Sequence, residues 1–273
     1  MGLMAGRRGL VMGVANDHSI AWGIARQLAE QGAELALSYH PHLEGRVRKL
    51  ASEVGCTSLY PCDVALPADS EEPASLDSMF KGLARDWERI DFVVHAIAFS
   101  DRSELDGRYA DTSRQNFVNT MLISCFSFTE VARRAAAMMT AGGSMVTLTY
   151  LGATQVMPNY NVMGVAKAAL EASVRYLAVD FGVSGIRVNA ISAGPVRTLA
   201  ASGVANARTI YNYQKRAAPL GRTVTIDEIG GSAVYLLSGL SSGVTGEVHF
   251  VDTGFNVVAM PPYALDMVPG PKA

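Results

Sequence analysis

Short apolar runs alternate with helical patterns along this chain, and no other feature limits its fold as much. Gly9 to Val14 is a short apolar run followed by a polar loop, and a helical pattern from Ser19 to Gln31 stops at Gly32. Glu34 to Tyr39 repeats the strand signal and Leu43 to Val54 the helical one. Ser58 to Pro61, a helix ending near Trp87 and the run Phe92 to His95 keep the same order. Later strands are expected at Ser144 to Thr149, Arg187 to Ile191 and Glu247 to Val251. Strands separated by helices pair in parallel, and a parallel sheet is covered on both faces. The expected architecture is α/β, one doubly wound domain over residues 1–273 with helices flanking a parallel sheet.

With 273 residues, 49% hydrophobic and 18% charged, the chain can build one large core without a second domain. Net charge is −2 and Lys and Arg are scattered, which argues against nucleic acid or an anionic membrane as partner. No apolar run long enough for a secretory signal precedes Arg7 and Arg8, and no stretch of membrane-spanning length escapes charge or breaker, so a cytoplasmic protein is expected. Cys56, Cys62 and Cys125 lack metal-ligand pairing and read as reduced core residues, so no metal is expected. Residues 66–73 form an acidic, Pro-containing loop expected to be solvated. Residues 197–213 mix small residues with aromatics and suit a mobile segment covering a cleft, and residues 261–273 read as a loosely held tail.

Tyr160 and Lys167 are seven residues apart. On a helix that spacing turns through about 700°, which puts both on one face. A cation near a phenol favours the ionised form and is expected to lower its pKa, so the pair reads as general-acid equipment, although the spacing alone equally fits a buried Tyr and a solvent-facing Lys on an ordinary amphipathic helix. The loop Gly13-Val-Ala-Asn-Asp-His-Ser19-Ile20 joins the first strand to a helix. Gly13 allows close approach to a phosphate, Ser19 can cap, and free helix amides face an anion, although an ordinary β-to-α turn has the same composition. The second strand ends at Tyr39-His40, without the carboxylate that often binds a ribose 2′-hydroxyl. Asp63 after the third strand can accept from an adenine amino group or make an Asx turn. His95 reads as a satisfied core histidine rather than a base.

Taken in order, the glycine loop, Asp63-Val64, Tyr150, Pro158-Asn-Tyr160-Asn-Val-Met-Gly164, Lys167 and Ile191-Ser-Ala-Gly-Pro195-Val-Arg-Thr-Leu-Ala200 resemble the short-chain dehydrogenase/reductase superfamily. More narrowly, the chain resembles bacterial enoyl-[acyl-carrier-protein] reductases of the NADH-dependent type, from about Leu3 to Met260. Six residues separate Tyr160 from Lys167, where ordinary superfamily members have three. The resemblance implies a Rossmann-type fold, NADH as cofactor with NADPH as the alternative, acyl carrier protein bearing an enoyl thioester as partner, and a homotetramer.

Carried onto this sequence, the resemblance makes Tyr160 the phenol on the thioester carbonyl, Tyr150 a second active-site tyrosine and Lys167 the nicotinamide-ribose ligand. It assigns Gly13, Ser19 and Ile20 to pyrophosphate and ribose, and Asp63 and Val64 to adenine. Ile97, Val196, Arg197, Thr198, Leu199 and Ala200 fall on the nicotinamide side, and Ser100 on the substrate. His40 replaces a common Gln, Ala98 a common Gly and Thr253 a common Gly. Without the carboxylate at position 40, NADH is expected to be preferred by a reduced margin, with Arg46 and Arg48 on the next helix either reaching a 2′-phosphate or simply solvated. Two other functions are compatible with the fold: a ketone or alcohol oxidoreductase of the same superfamily, and a non-catalytic dinucleotide-binding protein. The small residues Gly164, Ala166, Ala168, Ala169, Ala172 and Ser173 lie over more than one face of the helix after Tyr160, which fits close helix packing between subunits.

Overall fold

The computed structural model describes residues 2–196 and 207–261. Seven parallel strands form one sheet in the order β3-β2-β1-β4-β5-β6-β7. They are β1 (Arg8–Met12), β2 (Glu34–Tyr39), β3 (Ser58–Pro61), β4 (Phe92–His95), β5 (Gly143–Thr149), β6 (Ile186–Ala193) and β7 (Val248–Val251). The helices are α1 (Ile20–Glu30), α2 (Glu44–Glu53), α3 (Leu76–Asp86), α4 (Arg114–Met121), α5 (Ser127–Met138), α6 (Asn161–Gly182), α7 (Ala207–Ala217) and α8 (Ile226–Leu237). One π turn, Leu122–Phe126, joins α4 to α5.

Strand residues alternate between two cores, as the period of two requires. Leu10 and Met12 of β1 face a core shared with Phe128 of α5 and Leu170 and Val174 of α6, whereas Val11 faces Ile24 and Leu28 of α1 and Ile229 of α8. Burying each such side chain contributes about 1.5–3 kcal/mol. The doubly wound sheet is therefore confirmed, and the strand bounds differ from expectation for local reasons. β1 stops at Met12 because Gly13 turns the chain at φ 94°. β6 runs on to Ala193 because β7 pairs alongside it, Ala193 opposite Val251.

The three cysteines are free and buried, and burial pushes the Cys56 and Cys62 thiols up to about 11 and 12. The 66–73 loop is only partly solvated: Ala68 is buried and its carbonyl accepts from the Asp77 amide at the start of α3. Thr253 sits at φ 60°, a left-handed conformation that favours glycine, and its hydroxyl donates to the Arg222 carbonyl at 2.8 Å. That conformation accounts for the glycine which the resemblance places there. The tail lies outside the described residues from position 262 onward.

Candidate active site

In this order the chain reverses direction across the sheet between β1 and β4, and crevices of doubly wound sheets open at such a point beyond the carboxyl ends of the strands. Gly13, His40, Asp63, Val64 and Ile97 all lie just past strand ends on that edge. A Cβ at position 13 would lie 2.2 Å from the Ala96 carbonyl oxygen, so only glycine lets the β1–α1 loop rest against the end of β4.

Ser19 occupies the N-cap position of α1 but does not cap it. Its hydroxyl donates to the Asn16 carbonyl at 2.6 Å, so it braces the loop and leaves the first-turn amides of α1 without a side-chain cap. The expectation of a capping Ser19 is thus corrected. Uncapped amides at the start of α1, on a loop that glycine lets lie close against the end of β4, suit a pyrophosphate, so the edge fits a dinucleotide.

Asp63 makes the Asx turn, accepting from the Ala65 amide at 2.9 Å, and its other oxygen lies 3.5 Å from His40 Nε2. A carboxylate therefore stands beside position 40 after all, supplied by the neighbouring strand. Arg48 is paired with Glu44 and Arg46 is exposed. The Val64 side chain is buried in the core and Ile97 packs against the same core, so neither side chain enters the cavity described next.

A cavity of about 360 Å³ opens at the carboxyl ends of β4, β5 and β6. Ile20, Ser100, Tyr150, Tyr160, Lys167 and Val196 line it, with Leu105, Leu148, Met157, Met163 and Ile210 supplying apolar wall. Of the residues expected there, Arg197, Thr198, Leu199 and Ala200 lie outside the described residues, as does much of the 197–213 segment. Its described end is α7, which contributes Ile210 to the cavity. The Ser100 hydroxyl is turned to α4, bonded with Asn116 Oδ1 at 3.3 Å and Thr120 Oγ1 at 3.0 Å, so Ser100 forms wall.

The run Pro158-Asn-Tyr-Asn has a backbone explanation. Asn159 and Asn161 flank Tyr160 at φ 59° and 36°, a region Asn tolerates better than other side chains. Asn161 Nδ2 also donates to the carbonyls of Leu105 and Gly107 at 3.2 and 3.3 Å, which ties the loop before α4 to the start of α6. Tyr150 and Tyr160 meet edge to face with ring centroids 5.0 Å apart. They can do so because residue 152 is glycine: a Cβ there would lie 2.5 Å from the Tyr160 ring.

Tyr160 and Lys167 line one cavity, but the phenol is not acidified. Burial, then the fields of Tyr150 and Glu171, push the Tyr160 phenol well above its ordinary value. Lys167 does not offset this burial; its own ammonium donates to the Leu148 carbonyl at 2.8 Å, and burial holds its pKa down to about 8. The expectation of a lowered phenol pKa is overturned by desolvation. Tyr150 is likewise pushed up to about 12 by burial. His95 is neutral core: it bridges Thr147 Oγ1 at 3.1 Å and Ser127 Oγ at 2.9 Å, with burial holding it down to about 3.

Over residues 13–256 the sequence matches a family profile described as "Enoyl-(Acyl carrier protein) reductase". The chain belongs to the enoyl-[acyl-carrier-protein] reductase family. It is 61% identical to enoyl-[acyl-carrier-protein] reductase [NADH] 2 of Rhizobium meliloti, over 95% of each chain. The FabI crystal structure from Candidatus Liberibacter asiaticus is similar at TM-score 0.91 and 55% identity, covering 96% of this chain and 99% of that one. The reductase of Anaplasma phagocytophilum, solved in complex with NAD, matches at TM-score 0.90 and 54% identity over 95% and 97% of the chains.

Two residues of this reductase's site escaped the sequence reading. Gln214 of α7 is buried and its amide donates to the Tyr150 hydroxyl. Nothing local marks it, because 64 residues separate the partners. Glu171 is buried one turn after Lys167 and accepts from Thr149 Oγ1 at 2.7 Å. The i to i+4 spacing was the available signal.

Proposed function

We propose that the cavity reduces the trans-2 double bond of an enoyl thioester carried on acyl carrier protein, as a step of fatty acid elongation. The observation that carries this reading is the gathering of Tyr150, Tyr160 and Lys167 around one apolar cavity beside a dinucleotide-shaped edge. NADH, when bound, supplies the hydride to the β-carbon of the thioester, and a proton taken from solvent at the α-carbon then completes the saturated product. α1 holds the pyrophosphate through its uncapped amides, and Lys167, with two N–H donors beyond the one on the Leu148 carbonyl, binds the nicotinamide ribose. The Asp63 carboxylate beside His40 disfavours a 2′-phosphate, which supports NADH over NADPH.

Tyr160 donates a hydrogen bond to the thioester oxygen, where negative charge develops as the enolate forms. A raised pKa suits that task, because the phenol keeps its proton at neutral pH and stays a donor. Tyr150, held by Gln214, closes the side of the acyl chain, and the apolar wall excludes water.

The protein acts in the cytoplasm as a homotetramer. Val165, Tyr176 and Val179 of α6 and Phe117 and Val118 of α4 are exposed and apolar in the single chain, which supports burial between subunits. A stable monomer in light scattering at micromolar concentration would reject the assembly. Incubation with crotonyl-CoA and NADH should consume NADH, followed at the nicotinamide absorbance. Turnover of ketones with none of crotonyl-CoA would favour the ordinary oxidoreductase, and NADH binding without turnover of either would favour the non-catalytic protein.

A further inference from the structure

Glu171 is a buried carboxylate that the reaction above leaves unused. It is 7% exposed and lies one helical turn beyond Lys167, itself 5% exposed, so the two share a face of α6. Successive residues at the end of β5 hold both: the Leu148 carbonyl accepts from Lys167 Nζ at 2.8 Å, and the Thr149 hydroxyl donates to Glu171 Oε1 at 2.7 Å. Tyr150, the next residue, packs on Tyr160 at the start of the same helix.

Other charges reach this pair from several elements. Arg175 of α6 acts on Glu171, Tyr160 feels the Glu171 carboxylate, and Cys125 of the π turn and His95 of β4 interact with Lys167. Cys125 is a thiol whose pKa burial raises and His95 is neutral, so neither supplies a fixed negative charge near the ammonium. Glu171 does.

We propose that Glu171 is a positioning residue: fixed by Thr149, its carboxylate is the buried counter-charge that keeps Lys167 protonated and able to bind the nicotinamide ribose. This rests on the reading of Lys167 as the ribose ligand. Burial works against both charges, raising the Glu171 carboxyl and holding the Lys167 ammonium down to about 8. The Thr149 hydrogen bond, then Arg175 and then Lys167 draw the Glu171 carboxyl back down, and Glu171, after Cys125, draws the Lys167 ammonium back up. Removing one member of such a pair leaves the other charge buried without compensation, so the pH midpoint, and not stability, is the readout that separates a counter-charge from a merely structural role.

The test is the NADH dissociation constant of the full chain, read by nicotinamide fluorescence from pH 6 to pH 10, which needs no enoyl substrate. Wild type should lose affinity on the alkaline side with a midpoint near about 8. Glu171→Gln keeps an acceptor for Thr149 and removes the charge. Its midpoint should fall by about one unit, leaving affinity about fivefold weaker at pH 8 and unchanged at pH 6. Glu171→Asp should fall between the two. An unmoved midpoint in Glu171→Gln, a loss equal at every pH, or a wild type with no alkaline limb overturns the proposal. Should Glu171→Gln fail to fold by circular dichroism, Thr149→Val must move the midpoint in the same direction, and an unmoved midpoint there is equally fatal. Absence of crotonyl-CoA reduction alongside a shifted midpoint would instead count against the assigned reaction alone.

Discussion

Replacing Gly13 with alanine tests whether the β1–α1 loop is held by contact with β4. The backbone there is at φ 94°, and holding a non-glycine residue in such a region costs about 1–3 kcal/mol. The new Cβ would lie 2.2 Å from the Ala96 carbonyl oxygen and 2.7 Å from its carbon. Restoring ordinary contact requires the loop to move by about 1 Å, away from β4 and with it the start of α1. Together these should cost about 2–4 kcal/mol of apo stability, which in a chain of this size lowers Tm by about 5–10 °C. The loop carries the proposed pyrophosphate site, so NADH should bind at least about tenfold more weakly, given how steeply function falls with displacements of this size. Gly45→Ala is the control: in exposed α2 its Cβ meets nothing within 4 Å, so stability should rise by up to about 1 kcal/mol with NADH affinity unchanged. Differential scanning calorimetry and fluorescence titration read both variants. A Gly13→Ala protein with wild-type Tm and wild-type NADH affinity would refute the close-approach reasoning.

Three further outcomes follow from the same geometry. Tyr160→Phe should lower kcat for crotonyl-CoA by about 10²-fold while NADH affinity stays within twofold, because in the proposed reaction the lost bond forms only to the developing enolate; stopped-flow separates the two. Gln214→Leu removes the donor to the Tyr150 hydroxyl and an amide oxygen that is buried without a partner among the described residues, so Tm should hold within a few degrees while KM for the enoyl substrate rises several-fold. Glu228 closes a capping box with Thr225 at the start of α8 and is paired with Arg222 at 2.6 Å, and that arginine with the Thr225 amide holds its carboxyl down to about 2. Because the folded pKa lies below the unfolded value, its stabilisation is present above about pH 4.5 and is lost as pH falls through 2. At this half-exposed position screening leaves about 1 kcal/mol, so Glu228→Gln should lower Tm at pH 7 and match wild type near pH 2.

Periodicity was enough to place the strands, since a strand buried on both faces announces itself as an apolar run between helical patterns. Phe92 to His95 and Glu34 to Tyr39 coincide with β4 and β2 for that reason. Spacing and composition also singled out Tyr160, Lys167 and Gly13, because helix geometry and a strand-to-helix turn are local properties. What they could not supply was the environment of those groups. The height of the Tyr160 pKa depends on how much water the folded cavity removes, and the partner of Lys167 is a carbonyl on β5, 19 residues away. The carboxylate missing at position 40 comes from Asp63 because β2 and β3 pair side by side, with Tyr39 opposite Pro61. Gln214 reaches Tyr150 only once α7 packs over the end of β5. Local chemistry along the chain decides which elements form and which residues can react, whereas charge state and hydrogen-bond partnership depend on distances between segments that only the packed sheet brings together.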